Sequence, residues 1–229
     1  MLKIHKKSLI GLSLLISIIP SLIFSVKAIE FPDAPEREPP QSTAAGGRRG
    51  GCVRGNMPIT PLTPNQDNSV KTVSPQPQFF VYIPPSKAKF FQFILKDETG
   101  NEIDNQEIPI TESDAIMSIN VSEKTNLEVG KKYLWEISLI CNPMVVNNSS
   151  YTKGSIERVT LDENIKKELL ANKDILKQAQ IYANNNIWQD TISLVGSIQE
   201  SQPQEWQQLL TSVGLENLKE KKLISEDSP

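Results

Sequence analysis

The chain has 229 residues, with 24 lysines and arginines against 27 aspartates and glutamates, a formal charge of −3, two cysteines and one histidine. Loss of a leader holding Lys3, Lys6, Lys7 and Lys27 would take that charge to −7, which disfavours nucleic acid or an anionic membrane as a general partner, since both need net positive surface. The histidine, His5, lies in that leader, so a mature chain would have no imidazole for Ser-His-Asp or Cys-His catalysis and would lack most zinc and copper sites.

Residues 1–28 open with the three lysines and continue through an uncharged apolar run from Ser8 to Val26. Val26 and Ala28 supply small side chains at the −3 and −1 positions, so an export signal cleaved after Ala28 is predicted, with Ile29 as the first mature residue. A run of about 19 apolar residues could also serve as an uncleaved anchor. Pro20 and the cleavage pattern favour removal. No later stretch is apolar enough to span a bilayer, so a soluble periplasmic or extracellular protein is expected.

Residues 29–68 are rich in proline and glycine, with few large apolar side chains, and read as an extended or disordered arm. Within it, "GGRRGGCVRG" (46–55) surrounds Cys52 with glycines and Arg48, Arg49 and Arg54. That thiol could be a nucleophile, a metal ligand, a lipid attachment point or half of a disulfide. It lies too far beyond the apolar run for lipidation, and neither cysteine has C-x-x-C spacing. In an oxidising compartment the simplest reading is a Cys52–Cys141 disulfide tethering the arm. By the loop-length model such a closure removes roughly 4–5 kcal/mol of unfolded-chain entropy. The three arginines read as a solvated arm, with anion or nucleic-acid binding as a lesser alternative.

Over 69–160 the pattern changes. "QFFVYIPP" (78–85), "KFFQFILKD" (89–97), "NEIDNQEIPI" (101–110), "AIMSINV" (115–121), "KKYLWEISLIC" (131–141) and "YTKGSIERVT" (151–160) are short apolar or alternating runs separated by turn residues. They predict six strands of an antiparallel β domain, with a possible seventh near Ser69–Val73. "DETGNE" (97–102) predicts a hairpin turn. Tyr133, Trp135, Ile137 and Leu139 fall on one face by period-2 alternation, and Cys141 follows on that face at the strand end.

"NLEVGKKYLWEISLIC" (126–141) resembles the corner of fibronectin type III and related immunoglobulin-like sandwiches. The resemblance implies that Leu127 packs under the turn, Gly130 takes its special backbone angle, Tyr133 is the corner tyrosine and Trp135 points into the core.

Residues 161–220 turn helical. Thr160-Leu161-Asp162-Glu163 fits a capping box before Ile165 and Leu169. Ile175, Ala179, Tyr182 and Ala183 mark a second helix, and Trp188, Thr191, Ile192, Val195 and Ile198 a third. Pro203 opens a fourth that carries Trp206, Leu209, Leu210 and Val213 and ends at Gly214. "AQIYANNNIWQDTISLVGSIQESQP" (179–203) resembles a degenerate tetratricopeptide unit, with Thr191-Ile192 in place of the usual Ala-Leu and with Gly196 inside its second helix. One helical pair cannot bury its own faces, so docking on the β domain or a partner is expected. Residues 221–229 read as a native tail, although "EKKLISED" (220–227) is close to an epitope tag.

Together, the signal, the Gly/Arg-rich arm with its cysteine, "FFVYIPP", "LEVGKKYLWEISLIC" and "YANNNIWQDTISLV" resemble a family of exported proteins of unknown function best known from cyanobacteria, over about residues 44–220. The resemblance supports localisation and architecture and implies no activity.

The expected fold is therefore α+β: an antiparallel immunoglobulin-like β-sandwich followed by a small tetratricopeptide-like helical unit. The expected function is that of a non-catalytic, cofactor-free exported module that contacts another protein or an envelope component. Phe79, Phe80, Tyr82, Trp188 and Trp206 are the possible contact residues. Because "QFFVYI" is apolar on both faces, one face must be covered, by the chain's own helices or by a partner. The alternative is a carbohydrate-binding or carbohydrate-active protein that uses Asp97, Glu98, Glu102, Asp104 and Glu107 of the 97–107 hairpin, since paired carboxylates can hydrolyse a glycosidic bond. "DETGNEID" lacks the spacing of the common calcium loop, and "GGRRGG" follows no strand and opens no helix, so it is no phosphate loop.

Overall fold

The structure is a computed structural model and describes residues 29–32, 53–54, 57–141 and 150–225. Among these residues nine strands form two sheets. They are β1 (Thr60–Pro61), β2 (Ser69–Thr72), β3 (Gln78–Ile83), β4 (Phe90–Lys96), β5 (Glu102–Pro109), β6 (Ala115–Asn120), β7 (Lys132–Ile140), β8 (Ser150–Arg158) and β9 (Leu223–Ser225). Between β8 and β9 lie α1 (Glu163–Ala171), α2 (Ile175–Asn184), α3 (Trp188–Ser197), α4 (Pro203–Ser212) and a 3₁₀ turn at Glu216–Leu218. The fold class is α+β.

One sheet runs β1-β3-β6-β9 and the other β2-β8-β7-β4-β5. The six strong runs of the sequence become β3 to β8, and the pairs between β3 and β6, β5 and β4, β4 and β7, and β7 and β8 are all antiparallel. The expectation of a wholly antiparallel domain is corrected at two edges: β2 lies parallel to β8, and β9 parallel to β6. Both added strands are separated from their partners by long stretches of chain, so no hairpin forces an antiparallel return.

Alternation along β3 sets the layers. Phe79 faces the five-stranded sheet, with its ring 5.1 Å from Phe93 and 6.0 Å from Trp135. Phe80 points the other way, 6.0 Å from the Trp206 ring of α4. The four-stranded sheet is thus covered on one face by the second sheet and on the other by helices. This explains why β3 is buried along nearly its whole length.

The arm and tail also differ from expectation. Ile29, Phe31, Ile59 and Leu62 belong to the buried core, and Thr60–Pro61 pairs with Val81 and Tyr82 of β3. The segment read as a tail supplies β9. The first helix is capped by Asp162, whose side chain accepts from the Asn164 N–H, two residues beyond the Thr160 of the expected capping box. Helix α4 begins with Pro203 and closes with Leu215 N–H to Leu210 O and Gly214 N–H to Thr211 O, the two bonds of a Schellman end.

Candidate functional site

The helical layer meets the β layer through the first turn of α3. Trp188 is 1% exposed, and its indole N–H donates to the Leu62 carbonyl at 2.7 Å. The Gln189 side-chain amide donates to the Gln78 carbonyl. Asp190 Oδ2 accepts from the Thr72 hydroxyl at 2.8 Å and from the Val73 N–H at 3.0 Å. Three consecutive side chains thus bond to Leu62 in the loop after β1, to Gln78 at the start of β3, and to Thr72 and Val73 at the end of β2.

Beside this joint opens a cleft of about 220 Å³. Its walls bring together Gln76 and Gln78 from the β2–β3 side with Tyr182 of α2 and Gln189, Asp190 and Ser193 of α3. Burial raises the Asp190 pKa, with the Thr72 and Val73 bonds opposing it. Tyr182 is half-buried, and burial together with the Asp190 charge raises its phenol pKa. The cleft therefore combines amides, hydroxyls and a phenol around a carboxylate whose bonding is already directed into the protein.

A second polar cluster pins the C-terminal strand. The buried Tyr82 hydroxyl donates to Asp114 Oδ1 at 2.7 Å, and Lys221 Nζ lies 2.6 Å from the same oxygen and 5.8 Å from the Tyr82 ring centroid. Lys222 pairs with Glu112 at 2.7 Å. The Lys221 bond, then the Tyr82 bond, lowers the Asp114 pKa. Burial, then Asp114, raises that of Tyr82.

The four corner residues fall into one local arrangement. Leu127 is 1% exposed, and the Tyr133 hydroxyl accepts from the Glu128 N–H at 2.9 Å. Gly130 has φ +78°, where a side chain would strain the turn. Trp135 is buried against Phe79. Phe79, Phe80, Tyr82, Trp188 and Trp206 are each no more than 4% exposed. The structure places these five rings inside the molecule, so the idea that they form an outward contact surface is corrected: the chain's own helices and second sheet cover them.

Cys141 is half-buried just beyond β7 and is not a free thiol. Cys52, Arg48 and Arg49 lie outside the described residues. Arg54 donates its backbone N–H to the Pro85 carbonyl at 2.6 Å.

Asp97, Glu98, Glu102 and Asp104 of the hairpin each have partners within the fold. Asp97 accepts from the Thr99 N–H and hydroxyl and from the Asn101 N–H and amide. These bonds, led by the Thr99 hydroxyl, hold its pKa down at about 2. Asp104 accepts from the Ser122 N–H and hydroxyl, and Glu102 faces Lys96 at 3.6 Å. Glu98 accepts from the Lys132 N–H at 3.4 Å. Among the described residues, no three histidine, cysteine or acidic side chains are grouped to hold a metal ion, and no helix is long and apolar enough to cross a membrane.

The sequence pattern of a domain of unknown function, DUF928, matches residues 44–223. The chain belongs to the DUF928 family. Comparison with curated proteins finds no match. The DUF928 span runs from the Gly/Arg-rich segment to the first residue of β9, so it takes in both cysteines, both β sheets, the helical layer and the cleft. In this DUF928 chain the cleft residues Tyr182, Gln189 and Asp190 went unnoticed as a site in the sequence. The only available signal was a polar pair, Gln189-Asp190, directly after the aromatic that opens a helix.

Proposed function

We propose that this member of the DUF928 family is an exported, non-catalytic module that binds another protein or an envelope component. In this reading the β layers are an immunoglobulin-like sandwich and the helices a tetratricopeptide-like unit. The observation that carries it is the cleft at the β–α joint, an apolar lining with polar groups at its border. Gln76, Ser193 and the Tyr182 phenol border an opening about the size of one or two side chains, while the Asp190 carboxylate is held by Thr72 and Val73. Such a pocket takes a largely apolar side chain with a polar end and leaves its carboxylate a structural task. The sugar-directed alternative through the 97–107 hairpin has less support, because Asp97 spends its acceptors on its own turn and Asp104 on Ser122 beyond β6.

The Cys52–Cys141 disulfide belongs to the same proposal. Val53 bridges Ser86, and Phe90, four residues on, is the register partner of Ile140. Val53 and Ile140, each adjacent to one of the cysteines, are therefore brought to one end of the sheet. Non-reducing peptide mapping should recover the linked pair, and a free Cys52 would refute it.

The functional test is in-cell crosslinking from a photoreactive residue at Leu194, on the cleft wall, with mass spectrometry of what is captured in the exported compartment. One partner should be recovered repeatedly and lost when Tyr182→Arg fills the cleft. Capture of glycan alone would move the weight to the sugar reading.

A further inference from the structure

We propose that hydrolysis of the Ala28–Ile29 bond turns the Ile29 nitrogen into the cation of an ion pair with Glu205, so that removing the leader locks the new N-terminus onto the helical layer. This rests on the reading that the chain is exported and processed.

The geometry is already in place. Ile29 is 2% exposed and Phe31 8%. The Ile29 nitrogen lies 3.2 Å from Glu205 Oε2, and the Phe31 N–H donates to the Ser212 hydroxyl at 3.1 Å. Both partners sit on α4 two turns apart, so residues 29–31 lie along that helix. The Phe31 ring meets Trp188 edge-on, with centroids 5.0 Å apart at 87°. The Glu205 carboxylate forms no ion pair with a described side chain, and among the described residues its partner is a backbone nitrogen 176 residues away.

In the uncut chain that nitrogen is an amide with one neutral N–H. An export signal peptidase adds water across the bond: the Ala28 carboxylate leaves with the leader, and the Ile29 nitrogen gains protons to become an ammonium group. The same 3.2 Å contact, charge-assisted on the carboxylate side before cleavage, then joins opposite charges and gains their Coulomb attraction. The apolar Ile29 and Phe31 side chains hold the end in place, and Glu205 supplies the anion without which a part-buried ammonium would be costly. Glu205 is thus a positioning residue for the processed end.

The test compares two forms of the chain, one beginning with a free amine at Ile29 and one carrying a short Gly-Ser extension that keeps an amide there, each with Glu205 and with Glu205→Gln. The free-amine form should melt higher than the extended form by about 2–4 °C, the shift that a roughly fivefold change in folding equilibrium gives at this size. Glu205→Gln should abolish that difference while leaving the extended form nearly unchanged. Equal losses in both forms, or no difference between the forms, would overturn the lock. As a readout independent of stability, acylation of the Ile29 amine by a small reagent should be at least about tenfold slower with Glu205 than with Glu205→Gln; equal rates would sink the proposal. N-terminal sequencing of chain recovered outside the cytoplasm separates the two ideas. A chain retained inside with its leader, or one starting elsewhere, defeats the export reading and the lock together. A chain starting at Ile29 that lacks the thermal coupling defeats the lock alone.

Discussion

Helices α1 and α3 are nearly equal in length, nine and ten residues, and each has an apolar stripe, yet they occupy opposite situations. Helix α3 buries Trp188, Gln189, Thr191, Ile192 and Val195, whereas α1 buries none of its residues and leaves Leu170 73% exposed. The stripe alone does not decide docking. What α3 adds is a run of three side chains that complete backbone groups at the mouth of the sheets, Trp188 to Leu62, Gln189 to Gln78 and Asp190 to Thr72–Val73. Apolar burial supplies most of the energy, and these polar bonds fix where the helix sits.

The sharpest way to break this contrast is Trp188→Ala. It removes a buried indole, its bond to Leu62 and its edge contact with Phe31, and should cost about 3–5 kcal/mol in chemical denaturation. Asp190→Ala comes next. It strands the Thr72 hydroxyl and the Val73 N–H, for about 1–3 kcal/mol. Gly196→Val should cost about 1–2 kcal/mol by overpacking, because even a Cβ there would stand 3.2 Å from the Phe80 ring. Leu170→Ala in α1 should change stability by less than about 0.5 kcal/mol; a larger loss would mean that α1 is covered in solution.

Asp190 also gives the comparison a pH signature. Burial raises its folded pKa, so the folded state holds this proton more tightly than the unfolded chain. Wild-type stability should therefore fall relative to Asp190→Asn as pH rises from the ordinary aspartate value through the raised one. Denaturation curves of both proteins across that interval check the sign, and a constant difference would deny the buried carboxylate its role at the joint.

Much of this architecture was legible because its signals are local. The runs that became β3 to β8 carry strand composition, the 97–102 turn carries its own Asp97 and Gly100, and α2 to α4 carry helical period. The missing elements are defined by distant partners. Thr60–Pro61 and Leu223–Ser225 are strands only because β3 and β6 offer edges to them. Ile29 and Phe31, in a stretch dominated by proline and glycine, are core only because α4 is there to receive them. The cap moved from Thr160 to Asp162 because two acceptable caps stand two residues apart, and the continuation of the chain from β8 chose between them. The cleft was hidden for the same reason: Gln76, Tyr182 and Asp190 meet only after the helices fold back on the β layer.

The placement of β9 bears on the order of events in synthesis. Its three residues pair with β6 more than a hundred positions earlier, and Lys221 and Lys222 then reach Asp114 and Glu112. Until Leu223–Ser225 has emerged, one edge of the inner sheet stays open, and a chain interrupted before Leu223 would leave the backbone of β6 ready to pair with a neighbouring molecule. Closure of such distant contacts is slow by nature. An edge that closes only when β9 arrives leaves truncated products prone to aggregate.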